Sequence, residues 1–234
     1  MTSVVKVGGA LLESAAHAVA SIRRVAASPT AVVHGGGIQI TRMLEQMNVK
    51  SVFIEGLRVT DDKTLQAVSA ALLGDVHTSL VRELRHAGLP AIGMFGIVEA
   101  SKKDGPWGLV GTQVRANPRI LTAALDAGHI PVIPTLALGP DSLLNVNGDE
   151  TAAAVAIALR CSELVFLTDV EGVKDGNGAV IDRADSPDTL LAASFVSGGM
   201  IPKLRAVKAA MEGGIPSVRV GRTIFGAASD LVGL

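Results

Sequence analysis

Five short segments of the chain hold the residue types that chemistry on a charged substrate needs. Near the N-terminus, Val4-Val5-Lys6-Val7 runs into Gly8-Gly9. A strand buried on both faces has no place for an ammonium. Lys6 therefore either reaches solvent from an edge strand or sits at a strand's C-terminal end, where open α/β sheets bind ligands. The glycine pair lets backbone N–H groups approach an anion closely. The second segment, His34-Gly35-Gly36-Gly37, follows an apolar run and precedes a helix-like one. Strand, glycines and helix N-terminus together make an anion site, because unpaired N–H groups and the helix dipole point the same way. It is neither a Walker A loop nor a Gly-x-Gly-x-x-Gly turn. His34 itself reads as a packed or backbone-bonded histidine rather than a base.

The third segment is Gly56-Leu57-Arg58-Val59-Thr60-Asp61. The Arg58 fork either takes a substrate carboxylate or pairs with Asp61 or Asp62. In the fourth, Asn145 and Asn147 lie two apart at a strand end and offer amide groups to one side. Asp149 follows; taken alone, it reads as an N-cap sooner than as a functional acid, and the two neighbouring asparagines tip it toward a functional cluster. The fifth, Ser197-Gly198-Gly199-Met200-Ile201-Pro202-Lys203, puts a lysine in a helix's first turn. There a cation opposes the dipole unless it swings into water or an anion binds beside it. Two lysines on separate segments, two glycine turns and one orienting Asp suit phosphoryl transfer, in which charge spread over phosphate oxygens must be neutralised. His17, His34, His77, His86 and His129 are scattered without metal-ligand spacing. No side-chain metal site is expected, and a Mg2+ ion would be held mainly through nucleotide phosphates.

The elements that must position these segments alternate. Val4 to Val7, Ala31 to His34, Ala91 to Phe95, Pro131 to Pro134, Leu164 to Thr168 and Ser217 to Val220 read as buried strands. Ile38 to Met47, Asp61 to Leu73, Asp75 to Ala87, Pro118 to Asp126, Asp149 to Leu159 and Met200 to Met211 read as helices, with starts marked by Asp61, Asp62, Asp75 and Asp149 and ends by Gly88, Gly128 and Gly213. The pattern predicts an α/β fold, a mainly parallel sheet covered on both faces. Lys50 to Thr60 reads as a hairpin, Ser101 to Asn117 as a surface excursion, and Asp169 to Asp188 as a second hairpin around Asp175-Gly176-Asn177-Gly178. The simplest organisation is one compact unit of two lobes, 1–146 and 147–234.

Composition narrows the function. The 234 residues are 48% hydrophobic and 18% charged, with net charge −1, so the chain is globular and has no field to gather nucleic acid or an acidic membrane. Aromatics are only 3%, too few for base-stacking platforms. The single cysteine, Cys161, excludes an internal disulfide framework and fits a reducing cytoplasm, where the protein is expected. The apolar stretch from Thr151 to Leu167 is broken by Arg160 and Glu163, and no leader-like segment precedes Val4.

Taken in order, the five segments, with Leu167-Thr168-Asp169-Val170-Glu171-Gly172-Val173, resemble the amino acid kinase family over essentially the whole chain. The Gly-Leu-Arg-Val-Thr-Asp run resembles the branch that phosphorylates N-acetyl-L-glutamate, rather than the carbamate, aspartate or uridylate kinases. The resemblance implies a three-layer αβα sandwich, with ATP as phosphoryl donor and an acyl phosphate of arginine biosynthesis as product. It implies that Lys6 and Lys203 stabilise the phosphoryl group in flight and that Asp149 holds both ammonium groups. Gly8, Gly9 and Gly35 would cradle phosphate, and Gly36, Gly37, Arg58 and Asn145 would bind substrate. Asp169, Gly172, Lys174, Ser197 and Gly198 would line the nucleotide pocket, with residues 1–146 carrying substrate binding and dimerisation and 147–234 the nucleotide. The attacking group is then the substrate's own γ-carboxylate, which needs no base.

Gly148, Glu150 and Ile38 depart from the family pattern, which often has Ala, Gln and Pro there. The stretch from Val220 to Leu234 lacks the family's terminal Gly-Thr strand, and no helix precedes Val4. A homodimer without arginine feedback is expected. Two alternatives stand beside this reading. One is a kinase for α-aminoadipate or glutamate attached to a small acidic carrier protein, met by Lys102, Lys103 and Arg115. The other is a non-catalytic nucleotide-binding module.

Overall fold

The computed structural model describes residues 2–25 and 29–226. The chain begins with β1 (Ser3–Val7), a 3-10 turn (Gly9–Glu13), α1 (Ala15–Val25), β2 (Thr30–His34) and α2 (Gly37–Gln46). A two-stranded hairpin of β3 (Phe53–Ile54) and β4 (Leu57–Arg58) leads into α3 (Asp62–Ser69), a π-helical segment (Ala70–His77) and α4 (Thr78–His86). Next come β5 (Ala91–Gly93), β6 (Val98–Lys102), β7 (Gly111–Ala116), α5 (Pro118–Asp126), β8 (Ile130–Pro134), β9 (Leu136–Leu138) and β10 (Leu143–Asn145). The remainder is α6 (Gly148–Leu159), β11 (Glu163–Leu167), β12 (Arg183–Ala184), α7 (Pro187–Leu191), α8 (Met200–Glu212), β13 (Ser217–Val220) and β14 (Thr223–Gly226).

Eight strands form one sheet in the order β12-β14-β13-β11-β1-β2-β8-β5, parallel except between β13 and β14. Strand alternation sends Val5, Val7 and Val32 to one face, where they pack with Ala18, Ile22, Leu80 and Leu84 of α1 and α4. Val4, Val33, Leu164 and Phe166 go to the other, against Ala152, Ala156, Leu204 and Val207 of α6 and α8. Helices therefore cover both faces, the expected three-layer αβα sandwich. α6 is apolar nearly all round because the sheet, α8, α5 and β7 enclose it.

Several elements differ from the sequence reading. α1 was not anticipated; its short apolar stripe of Ala18, Val19 and Ile22 is diluted by alanines and arginines. The two helices expected at 61–73 and 75–87 are one continuous helical run, with Asp75 inside the π segment rather than at a helix start. The cap at its beginning is Asp61, which accepts from the Thr64 N–H at 2.7 Å. The excursion expected over 101–117 is largely strand: β6 and β7 pair antiparallel in a second sheet ordered β10-β9-β6-β7. A strand does follow Val220: β14 pairs antiparallel with β13, and β12 forms the sheet edge beside it. Of the stretch expected to lack the family's terminal strand, residues 227–234 lie outside the described residues. The Asp175 turn does close a hairpin, with Lys174 bridged to Val180 and the Asp175 carboxylate accepting from Asn177 and Ala179 N–H.

The small hairpin is tied to the β6–β7 loop where it matters for the site. Thr60 N–H donates to the Trp107 carbonyl at 2.9 Å, and Leu109 N–H donates to the Thr60 carbonyl at 2.6 Å. Between them Gly108 has φ +70°, and a Cβ there would overlap the Thr60 carbonyl oxygen. That oxygen belongs to backbone and cannot swing aside. We expect Gly108→Ala to lower unfolding stability by about 2 kcal/mol or more in a urea titration, combining left-handed strain with overlap. A variant as stable as the parent would contradict this.

Candidate active site

The C-terminal ends of β1, β2 and β11 lie side by side, and the site is built on them. Lys6 stands on β1 opposite Val33 of β2 and Phe166 of β11. Like Val4, it faces the α6–α8 layer. The same face receives the first turns of both helices, so three charges from distant segments meet. Lys6 Nζ lies 2.9 Å from Asp149 Oδ1. Lys203 Nζ donates to Asp149 Oδ1 at 3.2 Å and Oδ2 at 3.0 Å, and stands 5.2 Å over the Phe166 ring. Asp149 is not the cap of α6: the Asn147 side chain accepts from the Asp149 and Glu150 N–H groups at 2.9 and 3.1 Å. With the cap supplied by Asn147, the Asp149 carboxylate is free to hold the lysines.

Burial on its own would push the Asp149 pKa up, but the fields of Lys6 and then Lys203, with the hydrogen bonds from both, outweigh it and hold the carboxyl below its ordinary value. Lys203 is shifted down, first by burial, with Asp149 pulling back and Lys6 adding repulsion. The two directions agree with one arrangement, a single carboxylate shared by two ammonium groups. The cluster carries two positive charges against one negative; Lys6 lines the adjoining cleft, and Asp149 and Lys203 are not among its lining residues.

That cleft, about 200 Å3, is lined by Lys6, Gly8, Gly9, Gly35, Gly36, Gly37, Arg58, Asn145 and Gly148 among others. Its glycines divide by purpose. A Cβ on Gly8 would overlap the Lys6 ammonium, and one on Gly148 would come within 3.1 Å of Lys6 Cε, so both clear space for that side chain. Gly35 and Gly37 have open space where a Cβ would be, whereas Gly36 is pressed by Leu72 at 2.8 Å. The α2 N-terminus has no side-chain cap, which leaves its first N–H groups for an anion.

Arg58 is buried and pairs with neither Asp61 nor Asp62 among the described contacts. Its guanidinium donates to Ser51 Oγ, to the Gly37 carbonyl at 3.1 Å and to Thr41 Oγ1 at 3.0 Å, and stacks over Phe53 at 4.6 Å. Burial lowers its pKa, yet an arginine stays charged at any working pH. Asn145 Nδ2 donates to Thr60 Oγ1 at 3.0 Å, which leaves its carbonyl for other partners.

The five expected nucleotide residues do not line this cleft. Asp169 comes nearest, with Oδ1 3.8 Å from where a Gly9 Cβ would stand. Ser197 and Gly198 are exposed just ahead of α8, and Lys174 is exposed on its hairpin. Gly172 is buried, with Thr223 Oγ1 and Val180 Cγ1 each 2.7 Å from its missing Cβ, so packing accounts for this glycine. Sequence reasoning missed the hydroxyls of Thr41, Ser51 and Thr60, which hold the site, and read Asn147 as offering its amide to a ligand where it caps α6; single hydroxyl residues carry no signal until the fold shows their neighbours. It also left Glu150 as a mere departure. Its carboxyl is raised in pKa chiefly by burial, with the backbone of Val114 and Gln113 in β7 pulling the other way. Of the carrier-facing cations, Lys103 stands over the Trp107 ring at 4.3 Å, and none of the three lines the cleft.

Comparison with known proteins fits this geometry. The model of the amino acid kinase family matches residues 1–221. The chain belongs to that family. Among curated family members it is 43% identical to an acetylglutamate kinase of Acidobacterium capsulatum, covering 94% of this chain and 90% of that one. It is 40% identical to an acetylglutamate kinase of Methanopyrus kandleri, covering 90% and 91%. Among solved structures, the Streptococcus mutans protein smu.665 superposes with a TM-score of 0.88 at 30% identity, covering 97% of this chain and 99% of that one.

One titration follows from the site's edge. His34 is fully buried, and burial pushes its pKa from 6.5 down to about 3. The unfolded chain takes up a proton there below about pH 6.5 and the folded chain does not. Stability is therefore complete above that pH and falls by about 1.4 kcal/mol per pH unit below it. His77 is shifted the same way by burial and adds to the slope. Urea unfolding at pH 7.5 and 5.5 should show this loss in the parent and a smaller one in His34→Gln; a parent equally stable at both would contradict it.

Proposed function

We propose that this chain uses ATP to phosphorylate the γ-carboxylate of N-acetyl-L-glutamate, the acyl-phosphate-forming step of arginine biosynthesis. The observation that carries the reading is the excess positive charge of the Lys6–Asp149–Lys203 cluster, whose Lys6 lines a cleft that Arg58 also lines. The relatives near 40% identity, named acetylglutamate kinases, support the choice of substrate.

Arg58, held by Ser51, Thr41 and the Gly37 carbonyl, receives the substrate's α-carboxylate, and the Asn145 amide takes the acylated nitrogen. This leaves the γ-carboxylate directed toward the glycine turn. There the amides of Gly8, Gly9, Gly36 and Gly37 hold the phosphoryl oxygens; the Gly35 N–H, expected among them, is taken by the Val7 carbonyl at 3.1 Å. Lys6 from one side and Lys203 from the other neutralise the charge that spreads over the transferring group. Asp149 keeps both ammonium groups in place and accepts no proton. The carboxylate is ionised at neutral pH, so the chain supplies no general base.

Residues 1–146 bind the amino-acid substrate and 147–234 the nucleotide, with Asp169, Lys174, Ser197 and Gly198 on the nucleotide side. Open space at Gly35 and Gly37, with an uncapped helix N-terminus, fits a polyphosphate. Among the described residues no group of three or more His, Cys, Asp or Glu side chains is placed to hold a metal ion. Mg2+ would be held mainly through the nucleotide phosphates, where it would shield their charge. The edge strand β5 exposes Ile92, with Phe95 exposed beside it, a surface suited to pairing two copies as a homodimer.

A hydroxamate assay with ATP and free N-acetylglutamate tests the reading: acyl phosphate well above background is expected, and none would overturn it. Activity only with a carrier-bound substrate would favour the carrier-protein alternative. Lys203→Ala should lower kcat at least about 100-fold with little change in N-acetylglutamate binding, because one preorganised charge contact is lost; unchanged turnover would remove Lys203 from its role. Arg58→Lys should instead mainly raise KM for the amino acid, since a point charge replaces a fork. An unchanged KM would place the α-carboxylate elsewhere.

A further inference from the structure

Beside the ionic cluster, the structure holds two imidazoles that the transfer chemistry does not use. His34 ends β2, and His77 lies in the π-helical segment. His34 Nδ1 is 3.0 Å from the Gly35 carbonyl oxygen, and His34 Nε2 is 2.9 Å from His77 Nδ1. Acceptor chemistry fixes every proton in this chain. A carbonyl oxygen can only accept, so His34 Nδ1 carries the hydrogen. A neutral imidazole has one N–H, so His34 Nε2 is bare and His77 Nδ1 must donate to it. In neutral His77, Nε2 is then bare, set against Gly93, where a Cβ would overlap the ring.

The last link bears on the cleft. Three successive glycines are free to rotate, and nothing intrinsic fixes which way their peptides face. The Gly35–Gly36 peptide is trans and planar, so its N–H points opposite to its C=O. We propose that His34 and His77 are positioning residues: their one-way hydrogen-bond chain pins the Gly35 carbonyl toward the protein and so keeps the Gly36 N–H turned to the cleft as an anion donor. The Gly36 N–H has no acceptor of its own among the described residues. Leu72 and Val76, from the same π segment as His77, press on Gly36 at 2.8 and 3.2 Å from its missing Cβ. One element therefore sets both the place of the turn and the direction of its peptide. The deep burial that keeps His34 neutral protects the chain's polarity, since a protonated ring would set N–H against N–H.

What the donor serves rests on the kinase reading; the proton order does not. Nitrogen-15 NMR of the histidine-labelled protein between pH 8 and 6 should show His34 with its hydrogen on Nδ1 and His77 with Nδ1 protonated. A hydrogen on Nε2 of His34 would overturn the proposal. In the acyl-phosphate assay, His77→Leu should lower kcat about tenfold or more, short of the 100- to 1000-fold loss of removing a donor outright, with both KM values little changed. His77→Asn, whose amide N–H replaces the lost donor, should restore most of that rate. Full activity in the Leu variant, or equal impairment in both, would refute the positioning role. Should the Leu variant fail to fold, the NMR spectrum of the parent decides. A parent inactive toward N-acetylglutamate would sink the kinase reading while the spectrum still judged the chain.

Discussion

Two ammonium groups compete for one buried carboxylate, and the rest of the structure follows from that imbalance. A buried ion is costly unless it is paired. Asp149 satisfies that demand for Lys6 and Lys203 together, but with one charge where two are needed. The remaining positive charge sits at the edge of a cleft, close enough to solvent to persist and buried enough to act strongly on an incoming anion. On the proposed function a phosphoryl group completes the balance, and the site is organised ahead of a charge that arrives with the substrate.

The fold delivers this at modest cost. Parallel strands align their C-terminal ends, so β1, β2 and β11 bring Lys6, the His34 turn and Asp169 to one edge of the sheet. Glycines at 8 and 148 clear a path for Lys6. Helices α6 and α8 present their first turns to the same face, where a lysine in isolation would be unfavourable. The family match over residues 1–221 and the near-complete superposition on the Streptococcus mutans structure place the same framework in known proteins.

Much of this was legible in the sequence, for physical reasons. Buried parallel strands must be continuous apolar runs, so β1, β2, β8, β11 and β13 stood out, and a lysine inside one of them was an anomaly that called for a partner. Lys6 and Lys203 could be singled out because each breaks a local rule, whereas Asp149 suits an N-cap and drew notice through the neighbouring Asn145 and Asn147. What stayed hidden depends on tertiary neighbours. Asn147 caps α6 in place of Asp149 because the lysines occupy the carboxylate. The hydroxyls of Ser51 and Thr41 become significant only once the hairpin folds back over α2. The continuous helix through Asp75 defeats a reading by caps, since an acid and a glycine there look like a boundary. Gly172, expected at the nucleotide, is packed closely against Thr223, which no local signal foretold.

The most direct test of the shared-carboxylate account is a crystal structure of the protein with ADP, Mg2+, tetrafluoroaluminate and N-acetylglutamate. The account predicts that the Lys6 and Lys203 ammonium groups both contact the planar fluoroaluminate, from opposite sides, while each stays bonded to Asp149. A complex in which the fluoroaluminate is bound with only one of the two lysines, the other still turned away, would contradict it.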